Sequence, residues 1–342
     1  MKRLRTVVVG AGRVFERYYL PCLEHGAGLD LVGIVEQNEE RIAWLRRRLD
    51  VPVEALASTL LDRADCVLVL SSPVSHAAIA IEALAAGKSV LVEKPMALTV
   101  PAALGVRDVA RRARGILRVG FNRRFSRGFR ALRDVLSRPG PEVEIRYTIV
   151  TPWRAWSPVT DYLGHVDRGG DVLSDVACHA IDLVPWLLRD EARGVAAVTA
   201  ETDGDTSRVS FALELANAPA ARCVVAHGAA YEEWISVRRG KKRWLATPAG
   251  IVGGSMPAPF LSALSHLERR ADLVLAKVGG RWNASLESFN QMLQSFSRAA
   301  SRRNESSPHD ADAEAGLRVT RLVQACRDAL QIREVLREID EG

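Results

Sequence analysis

The chain has 342 residues, enough for two domains of ordinary size, and 48% of them are hydrophobic, which suits a protein with buried cores. Its apolar runs are interrupted every few residues, so we expect no membrane-spanning segment. The net charge of +6 comes from arginines spread along the whole chain. Because nucleic-acid-binding proteins normally concentrate positive charge beside a recognition element, we expect a small-molecule ligand and no nucleic acid partner.

The cysteines stand far apart and lack the CxxC spacing of metal and redox motifs. They are Cys22, Cys66, Cys178, Cys223 and Cys326. We therefore expect reduced thiols, no disulfide framework and a cytoplasmic location.

Residues 5–120 alternate short apolar runs with helical patterns, which predicts parallel strands joined by right-handed helical crossovers. The predicted strands are 6–9, 31–35, 66–70, 89–92 and 117–120, and the predicted helices are 14–25, 39–49, 75–86 and 101–112. The predicted fold class is α/β. Residues 1–120 are predicted to form an N-terminal Rossmann domain, which is built on a doubly wound parallel sheet.

From about residue 141 the pattern changes to the alternation of a sheet with one covered face. Alternating strands are predicted at 142–150, 207–215 and 222–228, a hairpin at 232–246 with its turn near Gly240, and helices at 170–188 and 311–339, the second after a polar loop at 301–312. Residues 121–342 are thus predicted to form a C-terminal α+β domain with a large open, mostly antiparallel sheet, whose last helix packs back on the first domain. The uncovered face of that sheet predicts a homodimer or homotetramer.

Gly10 and Gly12 follow the first predicted strand directly and open the next helix, and Arg13 and Val14 stand at its start. Glycines here allow a tight turn and let a pyrophosphate approach backbone N–H groups at a helix N-terminus. All four residues are candidate cofactor contacts. Phe15 stands at the third position of this fingerprint, where glycine or alanine normally allows close packing, so it puts that packing in doubt.

Glu36 ends the second predicted strand, 24 residues after Gly12. A carboxylate at this place can accept hydrogen bonds from both ribose hydroxyls and repel a 2′-phosphate. We favour this interpretation over a solvated strand end, and NAD over NADP, although Arg41 lies one turn away and weakens the second preference.

Ser71, Ser72 and Pro73 end the third clear strand, where the second half of a dinucleotide would lie, and His76 follows at the start of a helix. All four are candidate cofactor contacts. For His76, a surface position at the helix end explains the residue equally well.

Two further constellations stand out. The apolar run 89–92 ends in Glu93-Lys94-Pro95, an acid and a base that ordinary solvation at a strand end would also explain. In the predicted helix 170–188, Asp175 and His179 are four residues apart and therefore share a face, with Asp182 on the adjoining part.

Together these features resemble the glucose-fructose oxidoreductase, inositol dehydrogenase and MocA (Gfo/Idh/MocA) family. The resemblance rests on the GxG turn, the EKP tripeptide 93–95, the GGxxxxDxxxHxxD pattern over 169–182, and the VGFNRRF stretch over 119–125. It covers nearly the whole chain, most clearly 5–190. It implies an NAD(P)-dependent oxidoreductase acting on CH–OH groups.

The resemblance also implies site residues. Lys94 would lie beside the nicotinamide and the substrate, with Glu93 among the cofactor contacts, and Asp175 and His179 would be the other catalytic positions. Oxidation of an alcohol requires a base for the hydroxyl proton, which suits histidine, while Lys94 would stabilise alkoxide charge and Asp175 would orient the substrate or the imidazole. Tyr19 stands where many relatives carry histidine, a departure that the sequence does not explain.

The implied substrate is a sugar, a cyclitol or a derivative such as a nucleotide-linked or amino sugar, with NAD as cofactor and NADP as the alternative. Beside Lys94, Asp175 and His179, the candidate substrate contacts are Asn122, Arg124, Trp153, Tyr162 and His165. Aromatic side chains can stack on a hydroxyl-rich ring, although plain packing explains each of them equally well.

Two other function classes stay open at this point. A non-catalytic dinucleotide-binding regulator of the same fold would lose the catalytic lysine or histidine, whereas Lys94 and His179 are both present. A metal hydrolase would use His165, Asp175, His179 and Asp182, but it would leave the glycine turn and Lys94 without a role, so we expect no metal site.

Overall fold

A computed structural model describes residues 3–55, 60–136, 143–152, 169–203, 206–254, 283–302 and 306–341. The chain divides into two units: unit 1 comprises Met1–Asn122, Trp156–Gly170 and Phe289–Thr320, and unit 2 comprises Arg123–Ala155, Asp171–Ser288 and Arg321–Gly342. The segment Phe289–Thr320 thus belongs to the N-terminal unit, although it is distant in sequence. The domains 1–120 and 121–342, as bodies that fold on their own, stay a prediction.

Unit 1 is built on a six-stranded parallel sheet in the order β3-β2-β1-β4-β5-β6. Its strands are β1 (Leu4–Val9), β2 (Leu29–Val35), β3 (Val53–Glu54), β4 (Cys66–Val69), β5 (Ser89–Val92) and β6 (Leu117–Val119). Val67, Leu68, Val90 and Leu91 are fully buried, so both faces of the central strands are covered. The Rossmann prediction is confirmed, and β3 adds a strand that was not predicted. Chain order reverses between the neighbours β1 and β4, where sheets of this kind bind ligands.

The helices of the described residues are α1 (Leu20–Glu24), α2 (Glu39–Arg48), α3 (Pro73–Ala85), α4 (Val100–Ala110), α5 (Arg127–Leu136), α6 (Cys178–Leu188), α7 (Ala284–Ser301) and α8 (Ala313–Glu341). Asn38 caps α2 by accepting the N–H of Arg41 at 2.8 Å. Asp312 caps α8 by accepting the N–H of Ala315 at 2.9 Å, so this helix begins slightly later than predicted. Within the described ranges, no helix combines the length and the apolar character needed to cross a membrane.

Two helices begin with a π-helical turn that sequence reasoning did not predict. Phe15–Tyr19 precedes α1, and Leu173–Ala177 precedes α6. Phe15 is fully buried at the third fingerprint position, so the wider turn accommodates a large side chain there. The second π-helical turn contains Asp175, so the regular helical spacing that we expected between Asp175 and His179 does not hold.

Unit 2 contains a seven-stranded sheet in the order β13-β12-β11-β7-β10-β9-β8. Its strands are β7 (Val143–Thr151), β8 (Ala192–Asp203), β9 (Thr206–Leu215), β10 (Ala221–His227), β11 (Glu232–Arg239), β12 (Lys242–Ala246) and β13 (Ile251–Gly254). The β7–β10 pair is parallel and the other neighbours are antiparallel, which confirms the mostly antiparallel sheet. β11 and β12 form the predicted hairpin, with Gly240 in the turn at a φ of 58°. The helices α5 and α7 and the strands β8 and β13 were not predicted.

The sheet of unit 2 has one buried face and one more exposed face. On β7, Tyr147 and Ile149 are buried, whereas Glu144 and Arg146 are exposed. α6 and the π-helical turn before it pack against β7 and β10. Self-association through the more exposed face of this sheet, as a homodimer or homotetramer, stays a prediction.

Gly10 and Gly26 form a matched pair for testing the packing at the first turn. Their φ angles are 86° and 87°. A Cβ on Gly10 would lie 2.4 Å from the Cα of Ser71, whereas no described atom lies within 4 Å of the Cβ position on Gly26. We expect Gly26→Ala to lower the free energy of unfolding by about 1–2 kcal/mol through backbone strain, and Gly10→Ala by about 1–3 kcal/mol more.

Urea denaturation measures both losses on the same scale. Equal losses for the two variants would contradict the close approach of the turn to Ser71.

Candidate functional site

The glycine turn after β1 presents accessible backbone. Gly10 packs against the backbone of Ser71. Beside it, no described atom lies within 4 Å of the position that a Cβ on Gly12 would take. Arg13 and Val14 follow, half-buried, at the start of the helix. The turn therefore offers helix N-terminal N–H groups next to space that the described residues do not fill, which an approaching phosphate requires.

The Glu36 carboxylate at the end of β2 is held by backbone N–H groups. Its Oε2 accepts the N–H of Ala11 at 2.8 Å, and its Oε1 accepts those of Gln37 at 2.8 Å and Asn38 at 3.0 Å. A carboxylate has room for about four hydrogen bonds. The sequence predicted an acceptor for both ribose hydroxyls, whereas this arrangement leaves room for a single further hydrogen bond.

The residues predicted to contact the second half of a dinucleotide lie at the end of β4. Ser72 is extended, with a φ of −67° and a ψ of 146°, and Pro73 is the first residue of α3. The Ser71 and Ser75 hydroxyl oxygens are 2.7 Å apart. Because Ser71 also contacts Gly10, two helix N-termini open at the same edge of the sheet and favour negative charge there.

His76 is buried, with 1% of its surface exposed. Its Nδ1 lies 2.8 Å from the carbonyl oxygen of Pro95, and its Nε2 lies 2.8 Å from that of Ser71. Burial lowers the pKa of His76, the carbonyl contacts raise it, and the nearby charge of Lys94 lowers it again, for a net lowering. His76 therefore connects the loop after β4 to the loop after β5, and both ring nitrogens face backbone oxygens.

The acid and the base after β5 differ in their surroundings. Glu93 is 6% exposed, and its Oε1 accepts the hydroxyl of Tyr19 at 2.5 Å. Its Oε2 accepts the N–H of Lys94 at 3.0 Å. Burial and the charge of Glu93 raise the pKa of Tyr19 well above its usual value, so the hydroxyl stays a donor. Tyr19, a departure from the family pattern, thus serves as the partner of a buried carboxylate, and Lys94 is left half-buried at the end of β5 before a cis bond to Pro95.

In unit 2, Asp171 fixes the start of the helix that contains the predicted catalytic residues. Its Oδ1 accepts two backbone N–H groups of the first turn, at 3.0 and 3.2 Å. Arg327 donates to the Oδ2 of Asp171 at 2.8 Å and to the Ser174 hydroxyl at 2.5 Å. This first turn is therefore held by a cap and by an ion pair.

Asp175 is paired with a histidine that sequence reasoning missed. The Nε2 of His227, the last residue of β10, lies 3.1 Å from the Oδ2 of Asp175. His227 is 4% exposed, so the carboxylate of Asp175 has a buried partner. His179 is also 4% exposed. The sequence signal was a histidine at the end of an apolar strand, but only the strand order brings β10 beside the π-helical turn.

Arg124 and Asp182 form a buried ion pair. The Nε and Nη2 of Arg124 donate to the two carboxylate oxygens of Asp182 at 2.9 and 2.6 Å. The neighbouring Arg123 lies 3.3 Å from the buried carboxylate of Glu233. Such bidentate pairs fix geometry. Since Arg124 engages both oxygens of Asp182, the metal-site alternative loses one of its proposed ligands.

The predicted substrate contacts fall into three groups. Lys94 and Asn122 belong to unit 1, and Asn122 is 3% exposed. Arg124, Asp175 and His179 belong to unit 2. Trp153, Tyr162 and His165 lie outside the described residues.

Comparison with known proteins identifies relatives of the chain. The protein YceM of Salmonella typhimurium is 31% identical over 193 residues, which cover 56% of this chain and 59% of YceM. Inositol 2-dehydrogenase of Pseudomonas savastanoi is 29% identical over 198 residues, 55% of each protein. The chain therefore matches little more than half the length of these curated relatives.

The likeness in fold extends further than the likeness in sequence. The crystal structure of scyllo-inositol dehydrogenase from Lactobacillus casei superposes with a TM-score of 0.75 over 97% of each chain, at 17% identity. Residues 4–121, which contain the glycine turn, Glu36 and Lys94, match the model of the oxidoreductase family with an NAD-binding Rossmann fold. This match and these relatives support membership of the Gfo/Idh/MocA oxidoreductase family for residues 4–121.

Proposed function

We propose that the protein is a nicotinamide-dependent oxidoreductase acting on a secondary alcohol or ketone of a polyol, either a cyclitol or a sugar derivative. The observation that carries this proposal is the carboxyl edge of the parallel sheet, where the accessible turn at Gly12, the carboxylate of Glu36 and the half-buried Lys94 end three of its strands. The name of the relative from Pseudomonas savastanoi, inositol 2-dehydrogenase, supports a cyclitol as substrate.

The residues of unit 1 suit a dinucleotide. The space beside Gly12 and the N-terminus of the following helix suit the pyrophosphate, and Ser72 and Pro73 provide a second helix N-terminus for it. The fixed charge of Glu36 suits a ribose hydroxyl and opposes a 2′-phosphate, so we propose NAD over NADP. When bound, the nicotinamide supplies the acceptor for the hydride that leaves the carbinol carbon.

The chain itself handles the proton and the charge on oxygen. We assign the hydroxyl proton to His179, because histidine is the side chain best suited to accept a proton and to return it in the reverse direction. Lys94 stabilises negative charge on the substrate oxygen. Asp175, hydrogen-bonded to His227, orients the substrate or the imidazole.

The other substrate contacts are proposed with narrower roles. Arg124 acts mainly by holding Asp182, since two of its donors are used there. Asn122 is a proposed hydrogen-bonding contact, and Trp153, Tyr162 and His165 stay proposals from the sequence.

A panel of cyclitols, sugars and nucleotide-linked sugars, assayed with NAD and NADP by nicotinamide absorbance, tests the function. We expect turnover of at least one cyclitol or sugar with NAD. Dinucleotide binding without turnover of any member of the panel would favour a non-catalytic regulator, and absence of dinucleotide binding would contradict the proposal.

We expect Lys94→Met and His179→Asn each to lower turnover by about 10²–10⁴-fold while changing NAD affinity little, because both act on the substrate oxygen and its proton. Steady-state kinetics and calorimetry measure the two effects separately. Lys88→Met is the matched control: Lys88 stands just before β5, at the opposite edge of the sheet, where its Nζ donates to the carbonyl oxygen of Ala64 at 3.0 Å. Near-normal turnover by His179→Asn at every pH would reject His179 as the base.

A further inference from the structure

The Arg41 guanidinium lies over the glycine turn. Its Nε donates to the carbonyl oxygen of Ala11 at 2.6 Å, and its central carbon lies 4.1 Å from the centroid of the Trp44 ring. Only 15% of the side chain is exposed. Because Glu36 accepts the N–H of the same Ala11, Arg41 and Glu36 are opposite charges bound to one residue of the turn.

Glu16 places a second carboxylate against Arg41. Its Oε2 lies 2.9 Å from the Nη2 of Arg41, and its own N–H donates to the carbonyl oxygen of Gly12 at 3.1 Å. The contact with Nη2 is an ion pair by distance, but it lacks the alignment of a hydrogen bond. Nη2 is buried and, within the described part of the chain, donates to no acceptor. Arg41 therefore keeps a buried donor beside the turn, and Glu16 balances its charge.

The two charges bound to Ala11 favour different cofactors. A carboxylate in the position of Glu36 favours a ribose with free hydroxyls, whereas an arginine nearby accommodates a 2′-phosphate. A phosphate monoester carries a charge of about −1.5 to −2 near pH 7. The binding of a 2′-phosphate therefore depends on how much of the positive charge of Arg41 is already neutralised by neighbouring carboxylates.

We propose that the Glu16–Arg41 pair is a specificity determinant that works with Glu36 against NADP. Glu16 neutralises Arg41 and adds negative charge at the place where a 2′-phosphate would have to bind, so Arg41 is retained without attracting that phosphate. This inference rests on the proposed function, since it assumes that the turn receives a nicotinamide dinucleotide.

Calorimetric titration with NAD and with NADP, at one fixed low salt concentration, tests the pair. Glu16→Gln keeps the size of the side chain and removes its charge, so we expect NADP affinity to rise about three- to tenfold while NAD affinity changes little. Glu40→Gln removes the same charge from an exposed position on α2 and should leave the ratio of the two affinities unchanged. The gain should shrink in added salt, because the interaction is electrostatic.

A double-mutant cycle separates the pair from a general charge effect. In an Arg41→Gln background, Glu16→Gln should raise NADP affinity less than it does in the unmodified protein, because only the direct repulsion by Glu16 is then removed. An unchanged ratio in Glu16→Gln, an equal gain in Glu40→Gln, or a full gain without Arg41 would each overturn the inference while leaving the proposed function intact. Failure of the unmodified chain to bind either dinucleotide would contradict the proposed function itself, and the inference with it.

Discussion

The close approach of two backbone segments at Gly10 organises the carboxyl edge of the parallel sheet. A Cβ there would lie 2.4 Å from the Cα of Ser71, so a glycine is needed for the turn after β1 to lie directly against the turn after β4. The carbonyl oxygen of Ser71 contacts His76, and the other ring nitrogen of His76 faces the carbonyl oxygen of Pro95. A single close contact is thus linked, through one buried histidine, to the carbonyl group of Pro95, the residue after Lys94.

Two carboxylates at this edge are positioned by the chain itself. Glu36 is held by three backbone N–H groups, and Glu93 by the hydroxyl of Tyr19 and the N–H of Lys94. A buried charge such as that of Glu93 is costly unless it is hydrogen-bonded, and the contacts of both acids explain why they are not simply solvated strand ends. The charges at this edge are therefore oriented by the chain itself, which is the arrangement that favours electrostatic stabilisation of a ligand.

Local sequence patterns were sufficient for five of the six parallel strands, the glycine turn and the hairpin at Gly240, because strand period, helix–strand alternation and turn residues depend on near neighbours. The partners of the site residues could not be predicted in this way. Tyr19 and Glu93 are 74 residues apart, and Asp175 and His227 are 52 residues apart. The π-helical turns also escaped prediction, since their composition does not differ from that of an ordinary helix.

Titration of NAD into the unmodified chain and into Gly12→Leu tests directly whether the glycine turn receives a dinucleotide. No described atom lies within 4 Å of the Cβ position on Gly12, so the leucine should leave the thermal midpoint of unfolding nearly unchanged. We expect NAD binding by the unmodified chain and the loss of most of that affinity in Gly12→Leu, because the side chain fills the space needed by the pyrophosphate. Equally tight NAD binding by both proteins would contradict this expectation.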